Sequence, residues 1–70
     1  MNTQYEVVID WDERGGYFVA RVPELNGCMA DGPTRAEALA NVQEAIELWL
    51  DVAREEGWPI PKPHTLAAAR

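Results

Sequence analysis

The sequence predicts an α+β domain: a three-stranded antiparallel meander with one long helix packed on one face, in the order β-β-β-α. Three observations predict it. A period of two in β-branched and aromatic residues opens the chain, turns marked by glycine and proline follow at short intervals, and one long stretch of helical periodicity comes after them.

The first strand is read over residues 5 to 11, where Tyr5, Val7, Ile9 and Trp11 alternate with Glu6, Val8 and Asp10. Asp12-Glu13-Arg14-Gly15-Gly16 then makes a hairpin loop of about five residues, because paired glycines take positive φ without steric cost. A second strand runs from Tyr17 to Val22, with Phe18, Ala20 and Val22 on one side and Tyr17, Val19 and Arg21 on the other. Pro23 has no N–H to give a ladder, so pairing stops or bulges there. Glu24-Leu25-Asn26-Gly27 reads as a turn, and Cys28 to Ala30 as a short third strand ended by Asp31-Gly32-Pro33.

The helix is the clearest element. Thr34 is an N-cap residue, and Glu37 three positions on completes a capping box. Apolar residues recur at Ala38, Leu39, Val42, Ala45, Ile46, Trp49, Val52 and Ala53, while Glu37, Asn41, Glu44, Glu47 and Asp51 fall mainly on the other side. Gly57 ends the helix and Pro59 prevents its continuation. At 1.5 Å per residue the helix spans ~33 Å, enough to cross the whole sheet. Trp58-Pro59-Ile60-Pro61-Lys62-Pro63 alternates proline with larger residues and reads as extended. Residues 1–63 are thus expected to form one domain and residues 64–70 a tail, with room there for a short fourth strand.

Composition narrows the function. The chain has 70 residues and a net charge of −6. A domain this small buries only about 60% of its unfolded surface and leans on a disulfide, a metal or a partner. Cys28 is the single cysteine, so no intrachain disulfide forms, and Cys28 and His64 alone make no zinc site. No cofactor is expected. The negative charge argues against direct nucleic-acid binding, which needs lysine and arginine on phosphates, and suits a basic partner. No apolar run approaches the ~18 residues of a membrane span, and Met1-Asn2-Thr3-Gln4 does not open a signal peptide, so the expected location is the cytoplasm.

Apolar residues stand on both sides of the strands, and one helix covers only one face of a sheet. Periodicity leaves open which sets share a face. Either way apolar side chains remain uncovered, and Leu48 and Leu50 flanking Trp49 cannot all point one way. In a chain that is 47% hydrophobic, this surplus predicts a partner or self-association interface, with Tyr5, Val7, Trp49 and Trp58 as oligomer-interface candidates.

Catalysis fits less well. Asp10, Asp12 and Glu13 near the first strand and Glu37 and Glu44 on the helix could in principle converge on Mg²⁺. But Glu37 and Glu44 read as a solvent face, and Asp10 alternates outward beside Glu6. His64 lies among prolines with nothing to orient it, and Cys28 has no basic neighbour in sequence to lower its pKa. No enzyme is expected.

The ordered set of motifs resembles the HicB antitoxin family. The matching stretches are Asp12-Glu13-Arg14-Gly15-Gly16-Tyr17, Val22-Pro23-Glu24-Leu25, Gly27-Cys28, and Gly32 with Thr34. They continue through Glu37-Ala38-Leu39-Ala40-Asn41-Val42, Glu44-Ala45-Ile46-Glu47-Leu48-Trp49-Leu50 and Gly57-Trp58-Pro59-Ile60-Pro61. The likeness covers residues 4 to 63. It implies a partial RNase H-like fold, without catalytic carboxylates, and a role in binding and occluding HicA, a small basic toxin that cleaves mRNA. Asp12, Glu13, Tyr17, Glu24 and Leu25 are the partner-binding candidates. Many members carry a further DNA-binding domain, for which this length leaves no room. Asn26 stands where a proline is common and Pro33 where an acidic residue is common, both at turns. Two other readings compete: a non-catalytic homo-oligomeric interaction or regulatory module of the same fold with no toxin, and a degenerate RNase H-like nuclease.

Overall fold

A computed structural model describes residues 5–62 of the chain. Three strands, β1 (Val8–Asp12), β2 (Tyr17–Arg21) and β3 (Met29–Gly32), are followed by one helix, α1 (Arg35–Glu56). The sheet is antiparallel in the order β1-β2-β3. This is the expected α+β meander with a long helix on one face. The tail expected at 64–70, including the short fourth strand expected there and His64, lies outside the described residues, as do the first four.

The first strand begins later than the alternation predicts, at Val8 rather than residue 5. Val8 pairs with Arg21, so two residues earlier the next rung would set Glu6 against Pro23, which has no N–H. The Glu6 amide instead donates to Glu24 Oε1 at 3.1 Å. At the other end, Asp12 joins β1, and its Oδ1 accepts from the Arg14 and Gly15 amides at 3.0 and 3.3 Å. This Asx turn, with Gly16 at φ 73 and its amide on the Asp12 carbonyl at 2.8 Å, closes the hairpin.

β3 also differs from expectation, running through Gly32 instead of ending at Ala30. The reason is close packing. A Cβ on Gly32 would lie 2.6 Å from the Ala38 nitrogen, so only glycine lets the strand pass directly beneath the first turn of α1. Asn41 secures the seat, its Nδ2 donating to the Asp31 carbonyl at 2.8 Å.

The helix is capped as the sequence indicates at its start and end. Thr34 Oγ1 accepts from the Glu37 amide at 3.1 Å. The reciprocal half of the capping box is altered, because the Glu37 carboxylate takes the Thr34 hydroxyl at 3.3 Å rather than a backbone amide. Gly57 takes φ 74, and the Trp58 amide returns to the Ala53 carbonyl at 2.8 Å, which folds the following chain back over the last turns. The buried stripe is Ala38, Val42, Ile46, Leu50 and Ala53. Leu50 takes a core place the apolar stripe did not give it, and Leu39 is left 38% exposed.

The core lies between α1 and the face of the sheet that carries Ile9, Phe18, Ala20 and Ala30, closed at one end by Tyr5, Val22, Leu25 and Cys28. Leu25, Val42 and Ile46 are the largest fully buried side chains, each stabilising the fold by about 1.5–3 kcal/mol relative to exposure. Small residues at Ala20, Ala30, Gly32 and Ala38 let α1 approach, and it sits mainly over β3, then β2, with little contact to β1.

Gly32→Ala is expected to cost about 1–3 kcal/mol through overpacking against the α1 backbone, and Thr34→Ala about 1 kcal/mol through loss of the cap. Thermal unfolding followed by circular dichroism reads both, at about 4–8 °C per kcal/mol for a domain this size. An unshifted midpoint for Gly32→Ala would mean that α1 is not seated on β3.

Candidate protein-interaction surfaces

The pairing register assigns the faces that periodicity left open. Ile9 stands opposite Ala20 and Trp11 opposite Phe18, so this set shares the helix-covered face. The other face carries Val8, Asp10 and Asp12 from β1, Tyr17, Val19 and Arg21 from β2, and Met29 and Asp31 from β3. No described element covers it. Val8, Tyr17 and Val19 remain half-buried by their neighbours alone, and Met29 is 54% exposed. Arg21 and Asp10 pair across the strands at 2.8 Å, both well exposed, an ion pair of little stabilising value in water.

Because α1 leans toward β3, the β1 side of the covered face is thinly roofed. Trp11 is half exposed there. It meets the Phe18 ring edge-on at 4.8 Å, and the Arg35 guanidinium lies 4.8 Å from the same ring.

The predicted partner-binding residues fall in two places. Asp12, Glu13 and Tyr17 gather at the β1–β2 hairpin. The Asp12 carboxylate is engaged in closing that turn, Glu13 is exposed, and the Tyr17 ring lies against Gly15 so closely that a Cβ there would overlap it. Glu24 and Leu25 stand at the far end of β2, ~16 Å away at strand spacing. Leu25 is 0% exposed in the core, so its side chain offers nothing to a partner, a correction to the expectation for that residue. The apolar turn residue anchors the β2–β3 connection from below: the Leu25 amide donates to the Val22 carbonyl at 3.1 Å and the Cys28 amide to the Leu25 carbonyl at 2.9 Å.

The oligomer-interface candidates divide similarly. Tyr5 is only 5% exposed, packed in the core with its hydroxyl donating to the Pro61 carbonyl at 2.5 Å, and Val7 packs against that core. Tyr5 belongs to the monomer's own interior, which corrects its reading as a contact residue, while Val7 is half-buried at the core's margin. Trp49 is half-buried, its indole N–H donating to the Asn26 carbonyl at 2.9 Å. Trp58 is 46% exposed and leans on Trp49 with ring centroids 5.8 Å apart.

These two indoles border a groove of about 420 Å³ between the β2–β3 turn and the C-terminal half of α1. Met29, Ala45, Leu48 and Val52 complete its apolar lining, and Leu48 is 65% exposed. Met29 and Val52 carried no signal of this role in sequence. Leu48 did, since Leu48 and Leu50 flanking Trp49 could not all point one way.

Among the described residues no group of three or more His, Cys, Asp or Glu side chains could hold a metal ion. Burial pushes the Cys28 thiol pKa up, away from thiolate reactivity. Tyr5 is raised as well, first by burial and then by the Glu24 charge. No helix among the described residues is long and apolar enough to cross a membrane.

The family model described as the HicB-like antitoxin of bacterial toxin–antitoxin systems matches residues 5–70. The chain belongs to the HicB-like antitoxin family. Among similar proteins, a UPF0150 protein of Thermoplasma acidophilum is 41% identical over 59 residues, 84% of either chain. A UPF0150 protein of Synechocystis is 41% identical over 58 residues, 83% of this chain and 72% of the relative. One from Helicobacter pylori is 56% identical over 43 residues, 61% of this chain and 57% of its own. No solved structure matches significantly. Membership in the HicB-like family suggests a role in a toxin–antitoxin system.

The raised Tyr5 and Cys28 values set an alkaline limit on the HicB-like fold. Both groups hold their protons more tightly folded than unfolded. Their stabilisation is therefore complete below the ordinary values, about 8.5 for cysteine and about 10 for tyrosine, and is lost as pH rises through the raised ones. Melting temperature should fall from about pH 8.5 upward, and Tyr5→Phe should flatten the part above about pH 10. An unchanged slope in that variant would exclude Tyr5 as the cause.

Proposed function

We propose that this chain is the antitoxin of a bacterial toxin–antitoxin pair, binding a small, basic, mRNA-cleaving toxin of the HicA type and occluding its RNA-binding surface. The family match across residues 5–70 carries this reading. The physical properties agree with it. A net charge of −6 favours rapid encounter with a basic protein, and the uncovered apolar side chains supply the contact area that affinity needs. The role is non-catalytic, since occlusion needs a complementary surface and no reactive group. A toxin acting on mRNA places the pair in the cytoplasm. The partial RNase H-like relation is part of the same reading and concerns fold, not nuclease chemistry.

Co-expression with the toxin reading frame beside its gene tests the proposal. The expected outcome is a stable complex and suppression of the toxin's RNA cleavage as the chain approaches equimolar amounts. Cleavage that continues in the presence of excess chain would sink the reading.

A homo-oligomeric module without a toxin is the second reading, favoured by the sheet face that α1 leaves open. Val19 lies near the centre of that face, so Val19→Lys should shift a dimer to monomer in sedimentation velocity. A wild-type chain that stays monomeric at high concentration would remove this reading.

A further inference from the structure

We propose that the groove between β3, the C-terminal half of α1 and Trp58 receives a basic amphipathic helix of the toxin partner, an inference that rests on the antitoxin reading above. Leu48 and Trp58 form its rim at 65% and 46% exposure, Met29 borders it from the β3 edge, and Ala45, Trp49 and Val52 complete the lining. Two large apolar side chains this exposed beside one concavity are a poor arrangement for a free surface and a suitable one for anchors from a partner.

The backbone favours a helix over an added strand. The Val22 amide bonds to the Cys28 carbonyl at 3.0 Å, so Cys28 and, two residues on, Ala30 face β2, and Met29 and Asp31 direct their backbone groups to the free edge. On that edge the Asp31 carbonyl already accepts from Asn41 Nδ2. An incoming strand would lose its ladder after a single residue, because a side chain of α1 blocks the next acceptor. A helix brings side chains alone and needs no backbone partners.

The helix surface beside the groove specifies charge. Glu44, Asp51 and Glu55 stand four before, three after and seven after Leu48, so they share its side of α1. From Glu44 onward α1 carries Glu44, Glu47, Asp51, Glu55 and Glu56 against Arg54, which pairs with Asp51 at 2.8 Å on the exposed surface. This pattern works against the helix itself. Glu55 and Glu56 sit at the negative end of the macrodipole, and Asp51 and Glu55 are like charges one turn apart. Lysines opposite them relieve both repulsions. A second copy of this acidic chain brings like charge to like and is the poorer occupant.

The first experiment titrates the isotope-labelled full chain with a synthetic leucine–lysine amphipathic helix, and with the same peptide carrying glutamate for lysine. Only the lysine peptide should shift the Ala45 and Leu48 amides and the Trp58 indole, and Leu48→Lys should weaken it about tenfold or more. Leu48 is mostly exposed, so this variant keeps the fold, which circular dichroism checks. The second uses the neighbouring toxin in an RNA-cleavage-dead form. Leu48→Lys and the double variant Glu44→Lys with Glu55→Lys should each lose about tenfold or more in affinity, whereas Val19→Lys on the open sheet face should bind as wild type. Toxin binding intact in both groove variants but lost in Val19→Lys overturns the groove and leaves the antitoxin reading standing. Peptide shifts on the open sheet face, or an equal response to the glutamate peptide, also overturn it. A wild-type chain that binds no toxin overturns the antitoxin reading, and the groove assignment with it.

Discussion

The seat of α1 on β3 governs the rest of the molecule. Gly32 has no Cβ, so the backbone around Ala38 comes down onto the strand where any other residue would collide. Asn41 then ties the helix to the Asp31 carbonyl one turn further along. These contacts fix α1 over one side of the sheet, and the distribution of exposed surface follows. β1 is left thinly covered, with Trp11 half open. The β3 edge is guarded, and a groove opens where the helix runs on past the β2–β3 turn.

A chain of this size has one helix to place and two apolar sheet faces to cover. The core it builds uses Tyr5, Val22, Leu25, Ile46 and Leu50, several of which look in sequence like turn or interface residues. Tyr5 shows how tightly the interior is shared: it precedes the first strand, yet it closes the core and holds the segment after the helix through Pro61. Apolar surface remains on the open sheet face and around Leu48 and Trp58. For a HicB-like antitoxin, a fold that cannot bury all its apolar surface alone is suited to a partner that completes the burial.

Electrostatics act on the same frame. On the open face Asp10 pairs with Arg21 while Asp12 and Asp31 keep the surface acidic, and the C-terminal half of α1 concentrates further acid beside the groove. Long-range steering toward a basic partner therefore acts on the side where the apolar anchors stand as well as on the open face.

Local patterns determined much of this protein in sequence. Alternation from Tyr5 to Trp11, Gly15-Gly16, Pro23, the Thr34 cap and Gly57 marked three strands, two turns and both helix ends, because each acts through backbone rules that operate within a few residues. The motif order also pointed to the family. Tertiary structure alone decided what each side chain meets. The start of β1 at Val8 depended on the missing Pro23 amide across the hairpin, and the extension of β3 through Gly32 on a helix passing above it. Leu25 and Tyr5 turned inward because the ends of the core needed closing. The groove joins residues from the β2–β3 turn, two turns of α1 and the chain beyond it. No local pattern records that meeting, because register and helix placement, not periodicity, bring those residues together.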